Sequence, residues 1–197
     1  MKEIIIRKEN GNYKIPRFLR LKLLNHNFKL EYNGKLYDKE IKDNYEIRQI
    51  SLLVEALNIK NRKERLEFVY DKTCELLDSR FKGENICQFK NNRCAVNRIN
   101  KTNVDGCCRC RDNKRRCNFL INHKCTNQNL ACKFHICSYL RNKGYSFKIN
   151  DIYLMKYLYS WKQKMFCYYD FFISREELLK DIYANSLLRW AFCSKKQ

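Results

Sequence analysis

The sequence predicts an α+β protein: a small β-rich N-terminal part, an irregular cysteine-rich middle stapled by metal, and a helical C-terminal part. Three observations lead there. Asn-Gly pairs interrupt short alternating runs near the N-terminus, apolar residues recur at helical spacing from about Tyr45, and nine of the 12 cysteines crowd between Cys87 and Cys137. The expected boundaries are 1–44 for the β-rich part, 45–83 for a helical hairpin, 84–138 for the cysteine-rich segment and 139–197 for the helical end, all of which can form one domain.

Along the β-rich part, Glu3-Ile4-Ile5-Ile6-Arg7 reads as a strand, Glu9-Asn10-Gly11-Asn12 as a turn and Tyr13-Lys14-Ile15 as the returning partner, ended by Pro16. Phe28-Lys29-Leu30-Glu31-Tyr32 and Lys35-Leu36-Tyr37 form a second hairpin about Asn33-Gly34. Arg17 to Leu24 fits helix or strand, and His26 reads as a surface turn residue. The period then becomes helical: Ile47, Ile50, Val54 and Leu57 share one face. Asn61 followed by Glu64 resembles a capping box for a second helix, with Leu66, Tyr70, Cys74 and Leu77 on its apolar face and Gly83 at its end. Cys74 is therefore expected in the core.

The middle carries Cys87, Cys94, Cys107, Cys108, Cys110, Cys117, Cys125, Cys132 and Cys137, with His123 and His135 among them. Few apolar residues are available there, so burial alone cannot offset the ordering entropy. The start, MKEIIIRKENGNYK, returns to charge after three isoleucines, which predicts no secretory h-region and a cytosolic protein with reduced thiols. No apolar run approaches a membrane span. Reduced thiols at this density point to metal ligation. A single C-x2-C spacing occurs, at 107/110 across Cys108-Arg109, with no second one to complete a pair of knuckles; the other spacings are C-x6-C at 87/94, 110/117 and 125/132, C-x7-C at 117/125, C-x4-C at 132/137 and C-x-C at 108/110, beside the vicinal pair Cys107-Cys108. An ordinary zinc finger is therefore disfavoured. Thiolates suit zinc and a 4Fe–4S cluster equally. Either histidine can replace a thiolate, and neither belongs to a ligand knuckle.

Gly106-Cys107-Cys108, Cys117-Asn118-Phe119-Leu120, Cys125, Cys132-Lys133 and Cys137 together resemble the cysteine-cluster domain associated with zinc or iron chelation. Some members of that family are attached to flagellin lysine methylases. The resemblance covers residues 94–137 and implies Cys107, Cys108, Cys117, Cys125, Cys132 and Cys137 as ligands, with Cys94 or Cys87 as the upstream cysteine. The family's upstream C-x-x-C is absent here, and Gln128-Asn129-Leu130-Ala131 stands where the family carries Arg-Pro.

The formal net charge is +20, from 41 Lys and Arg against 21 Asp and Glu, an excess that attracts polyanions. Arg109, Arg111, Lys114, Arg115 and Arg116 crowd one loop of the cysteine region and are the candidate nucleic-acid contacts. They also offset the charge of metal-bound thiolates. Downstream, Cys132 to Lys143 reads as a short helix ended by Gly144, and Asn150 opens a helix through Ile152, Met155, Leu158 and Met165. Ser174-Arg175-Glu176-Glu177 is a capping box for the last helix, through Leu178, Ile182, Asn185-Ser186 and Trp190. The aromatics of this third, with Cys167 and Cys193, are expected to be core; interleaved with Lys156, Lys162 and Lys164 they can also stack bases. No Gly-rich nucleotide motif, zincin motif or deaminase motif is present.

The leading expectation is a cytosolic, basic metal-binding protein that contacts nucleic acid or a ribonucleoprotein, with a structural cluster and no enzymatic activity. Two alternatives remain: an iron–sulfur enzyme related to flagellin lysine methylases, and an interaction protein of a mobile element that docks on an acidic partner.

Overall fold

The computed structural model describes residues 2–16, 23, 25–91, 93–101, 107–108, 128–171 and 173–185, with backbone alone at 81–83 and in four two-residue strands between 111 and 125. The chain forms two compact units, Met1–Lys72 with Asn150–Tyr159 and Thr73–Ile149 with Ser160–Gln197. Helices combine with a small sheet, so the α+β class holds.

In the first unit, β1 (Lys2–Ile6) is followed by a tight ribbon of β2 (Lys8–Glu9) and β3 (Asn12–Tyr13) around Asn10 and Gly11, both at positive φ. Strand β4 (His26–Tyr32) turns at Asn33 (φ 50°) and Gly34 (φ 72°) into β5 (Lys35–Tyr37), the hairpin the sequence predicts. The first hairpin differs from expectation. Lys8–Tyr13 and Glu9–Asn12 pair across it and the Lys14 amide donates to the Arg7 carbonyl at 3.0 Å, while β1 itself runs parallel to β4, with Ile4 opposite Phe28 and Ile6 opposite Leu30. Ile6, Phe28 and Leu30 are fully buried in that arrangement, and an isolated two-stranded ribbon could not bury them. His26, expected in a turn, opens β4 instead. Of the ambiguous stretch from Arg17 to Leu24, only Leu23 is described, and it is buried; the rest lies outside the described residues.

Helix α1 (Tyr45–Asn58) packs on β4 through the predicted face, with Ile50, Val54 and Leu57 fully buried. Asn44 caps it, accepting from the Ile47 amide at 3.0 Å. At the other end Asn58 accepts from the Phe28 amide at 2.8 Å and donates to the Phe28 carbonyl at 2.9 Å. Phe28 lies beyond the last β5 pair, so this side chain stands in for the missing strand. Helix α2 (Arg62–Glu84) starts on Asn61, whose side chain accepts from Lys63 and Glu64. Gly83 falls inside α2, a correction to the expected stop there.

The division between units falls within α2, after Lys72. The second unit continues with α3 (Ala95–Ile99), the small ribbons β6 (Arg111–Asp112)/β7 (Arg115–Arg116) and β8 (Leu120–Ile121)/β9 (Lys124–Cys125), and α4 (Leu130–Phe134). Next comes α5 (Ser138–Asn142), and the chain passes back to the first unit within a 3-10 turn at Ile149–Asp151. Helix α6 (Tyr153–Leu158) belongs to the first unit and packs on α1; its first amide donates to Gln49 Oε1 at 2.9 Å. The second unit closes with α7 (Trp161–Tyr169) and α8 (Arg175–Ala184).

Two expected helices are each split. The Cys132–Lys143 run breaks at His135–Cys137, because Cys137 (ψ 164°) is extended and starts a new helix. The run opened at Asn150 breaks at Ser160 (ψ 166°), which with Gln163 forms a complete capping box for α7. The box at Ser174 and Glu177 is present as predicted, but α8 ends at Ala184 with Asn185 (φ −100°, ψ 18°) as its C-cap, a correction to the run expected to continue through Asn185. Trp190 and Cys193 lie outside the described residues. Leu76, Leu77, Leu130, Cys167, Leu178 and Ile182 form the core of this unit, and Cys74 is buried as expected. Among the described residues no helix is long and apolar enough to cross a membrane.

Candidate metal centre

Five thiols, those of Cys87, Cys94, Cys107, Cys108 and Cys137, line one small cavity of about 20 Å³ together with His135, Tyr139 and Leu140. That volume admits a single water-sized particle. Two of the thiols arrive by the same device. Cys94 and Cys137 are both helix N-caps at φ −69°, ψ 164°, and each is followed by five helical residues, then a residue near φ −80 to −89° and one at positive φ, Lys101 or Gly144. Their carbonyls accept from the amide four residues on, Arg98 at 3.1 Å and Arg141 at 3.0 Å. The shared pattern in sequence is C-[AS]-x-x-R at 94 and at 137.

Cys87 reaches the same cavity through a tight loop. Lys90 and Arg93 exchange two backbone hydrogen bonds at 3.0 Å, Asn91 lies at positive φ, and the Ala95 amide donates to the Cys87 carbonyl at 2.9 Å. Gln88 adopts φ 48°, a left-handed conformation that costs a non-glycine residue on the order of 1–2 kcal/mol. It is clamped at both ends: Arg98 donates to its carbonyl at 2.7 Å, and the Tyr139 hydroxyl donates to its Oε1 at 3.1 Å. One clamp comes from each Cys-capped turn.

Electrostatically the thiols are unequal. A hydrogen bond from the Cys108 thiol lowers the Cys94 pKa to about 6, against the opposing effect of burial, with smaller help from the amides of Asn97, Cys108 and Val96. Cys94 makes no capping hydrogen bond of ordinary geometry, so the helix amides act here as nearby dipoles. Cys108, hydrogen-bonded to Cys107 and Cys94, keeps its proton far above the usual range. Burial, then the neighbouring charges of Cys107, Cys137 and Cys94, push Cys87 up to about 12. The protein alone therefore favours a thiolate at Cys94 over one at Cys87 or Cys108. A divalent cation reverses that preference, since each deprotonated sulfur then gains an opposite charge.

The cluster brings together five of the eight cysteines singled out from sequence. Cys132 lies on α4 and does not line the cavity; Asn129 Oδ1 accepts from its amide at 2.9 Å. Cys125 is described by its backbone in β9, and Cys117, Cys110 and His123 lie outside the described residues. Of the basic loop, Arg111 pairs with Arg116 and Asp112 with Arg115 across β6 and β7, while Arg109 and Lys114 lie outside the described residues. Among the described residues, no three His, Cys, Asp or Glu side chains already form a closed ligand group. The five thiols surround a common space without converging on one point. Sequence reasoning missed the paired Cys-capped turns, although C-[AS]-x-x-R was readable, and the clamp on Gln88, which was not.

No family model, curated protein or solved structure matches this chain.

Proposed function

We propose that the chain is a basic metal-binding protein whose thiol cluster holds zinc, a single ion of the size its cavity admits, as a structural staple, and whose positive surface contacts nucleic acid or a ribonucleoprotein; an iron–sulfur cluster in its place would need the five thiols to spread. One observation supports the metal reading above the rest: five thiols from three separate segments meet around one small cavity. Cys87 and Cys94 frame one loop, Cys107 and Cys108 follow it, and Cys137 arrives from beyond α4. Metal binding there would tie these segments together where apolar side chains are few. Zinc would act through its charge and tetrahedral preference alone. The nucleic-acid part rests on the net charge of +20 and on the arginines of β6 and β7.

Metal analysis and a visible spectrum, taken on protein purified without oxygen, test the first part. Stoichiometric zinc supports it, whereas iron with sulfide and a brown colour would show that the thiols spread around a cluster; metal lost in Cys94→Ser and Cys137→Ser ties the metal to this cavity. Reduced protein without metal, and unmoved in stability by a chelator, sinks it. Binding to single-stranded RNA or DNA that weakens steeply with salt supports the second part, and its absence at low salt refutes it.

A further inference from the structure

A second cavity, of about 320 Å³, lies in the same unit, and His135 lines both. Its walls include Phe134, His135, Arg141, Tyr145, Tyr168 and Phe171, and no carboxylate is among its lining residues. The volume falls at the lower end of the range for small-molecule sites. Rings of this number favour a planar ligand that can stack or meet them edge-on. Arg141 is the one guanidinium in the lining. It donates to the Ile136 carbonyl at 3.4 Å, and no carboxylate pairs with it among the described residues. Its remaining donors suit the oxygens of a phosphate. A cationic ligand would meet the like charge of Arg141 and no lining carboxylate, whereas an aromatic anion meets both kinds of wall.

The surface beside the cavity points the same way. Along α7, Trp161, Met165, Tyr168 and Tyr169 stand 70%, 38%, 41% and 58% exposed, which corrects the expectation that this aromatic run is all core. Trp161, Met165 and Tyr168 follow each other at spacings of four and three, so they share one face of the helix. Tyr168 and Tyr169 meet edge to face with centroids 5.0 Å apart. Exposed rings leading to an aromatic cavity, in a chain of charge +20, match the stacking platforms that hold single-stranded nucleic acid.

We infer that this cavity is a nucleotide site: the base enters between Phe134, Tyr145, Tyr168 and Phe171, and the phosphate sits on Arg141. The nucleotide belongs to a single strand whose neighbouring base stacks on the exposed face of α7. This rests on the nucleic-acid part of the proposed function and assigns it a location away from the basic loop.

Fluorescence titrations of the whole metal-loaded protein with short oligouridylate, short oligothymidylate and adenosine monophosphate test it. Oligonucleotide affinity should fall roughly tenfold in Tyr168→Ala, from the lost stacking, and by about as much in Arg141→Gln, from the lost charged hydrogen bonds. Arg141→Lys, which keeps the charge and loses the planar fork, should fall between wild type and Arg141→Gln, and it replaces that variant if glutamine impairs folding. Unchanged circular dichroism shows that each variant is folded. Wild-type oligonucleotide affinity in Tyr168→Ala and Arg141→Lys would overturn the site while leaving nucleic-acid binding intact. Arg141-dependent binding of the mononucleotide without oligonucleotide binding would keep the site, as one for a free nucleotide, and overturn the nucleic-acid reading. Binding of neither probe overturns both.

Discussion

Replacing Asn129 by Asp should destabilise the second unit in a way that depends on pH. The Asn129 side chain is 1% exposed and makes three hydrogen bonds. Its Oδ1 caps α4 by accepting from the Cys132 amide at 2.9 Å, and its Nδ2 donates to the carbonyls of Asp170 at 2.8 Å and Ile173 at 3.2 Å. Those carbonyls stand at the end of α7 and just before α8, so one amide joins three helices. Aspartate keeps the cap and loses both donations. Two lost bonds cost about 2–3 kcal/mol, and a carboxylate facing two carbonyl oxygens adds to that, for a total of about 4 kcal/mol near neutral pH. Burial beside two oxygens raises the new carboxyl's pKa in the folded state. A raised pKa contributes stability that is complete below the unfolded value and is lost as pH rises through the folded value. The deficit should therefore grow with pH, by at most about 1.4 kcal/mol per unit, between about pH 4 and the folded pKa. Trp161 stands on α7 of this unit, so tryptophan fluorescence during urea unfolding reports it. A variant within about 1 kcal/mol of wild type near neutral pH, or a deficit unchanged with pH, would refute the reasoning.

Other substitutions separate core thiols from the thiols of the small cavity and test the local turns. Cys167→Ser places a hydroxyl in a fully buried apolar site, where burial already pushes the thiol pKa up; it should cost about 1–3 kcal/mol in urea unfolding and leave bound metal unchanged. Ser174→Ala should cost about 1 kcal/mol for the lost cap. The Ser174 amide and hydroxyl hold the Glu177 carboxyl below its usual range, so wild type has stability that is present above the unfolded carboxyl pKa and lost as pH falls through the folded one. The variant should show less of that acid sensitivity in thermal melts across mildly acidic pH. Gly34→Ala should destabilise the first unit by about 1–2 kcal/mol, because Gly34 sits at φ 72° while a Cβ there would meet nothing within 4 Å. An unchanged melt would show that the turn relaxes.

Local rules carried far where a side chain's partner lies within a few residues. Asn33-Gly34, Asn61 and Ser174–Glu177 all act as turn or cap signals because their hydrogen bonds close inside one turn. Helical spacing likewise placed Ile50, Val54, Leu57 and Cys74 in the interior. Ser160 and Gln163 carry the same capping signal, but apolar spacing continues across them and masks the break. Periodicity records which face is apolar, and two short helices meeting at a cap can present the same face as one long helix.

By itself the sequence determined the α+β class, the second hairpin, the principal helices and the density of thiols that points to metal, all of which follow from nearest-neighbour chemistry and composition. Only the tertiary structure decided that β1 pairs in parallel with β4, since parallel pairing joins residues far apart in the chain and leaves no turn motif. It also decided which thiols share a cavity. Cys137 joins Cys87 and Cys94 there while Cys132 does not line it, because the helix break at Cys137 redirects the side chain. His135, Tyr168 and Arg141 became one aromatic, cationic cavity for the same reason: spacing in sequence fixes a face of a helix, and packing decides what that face meets.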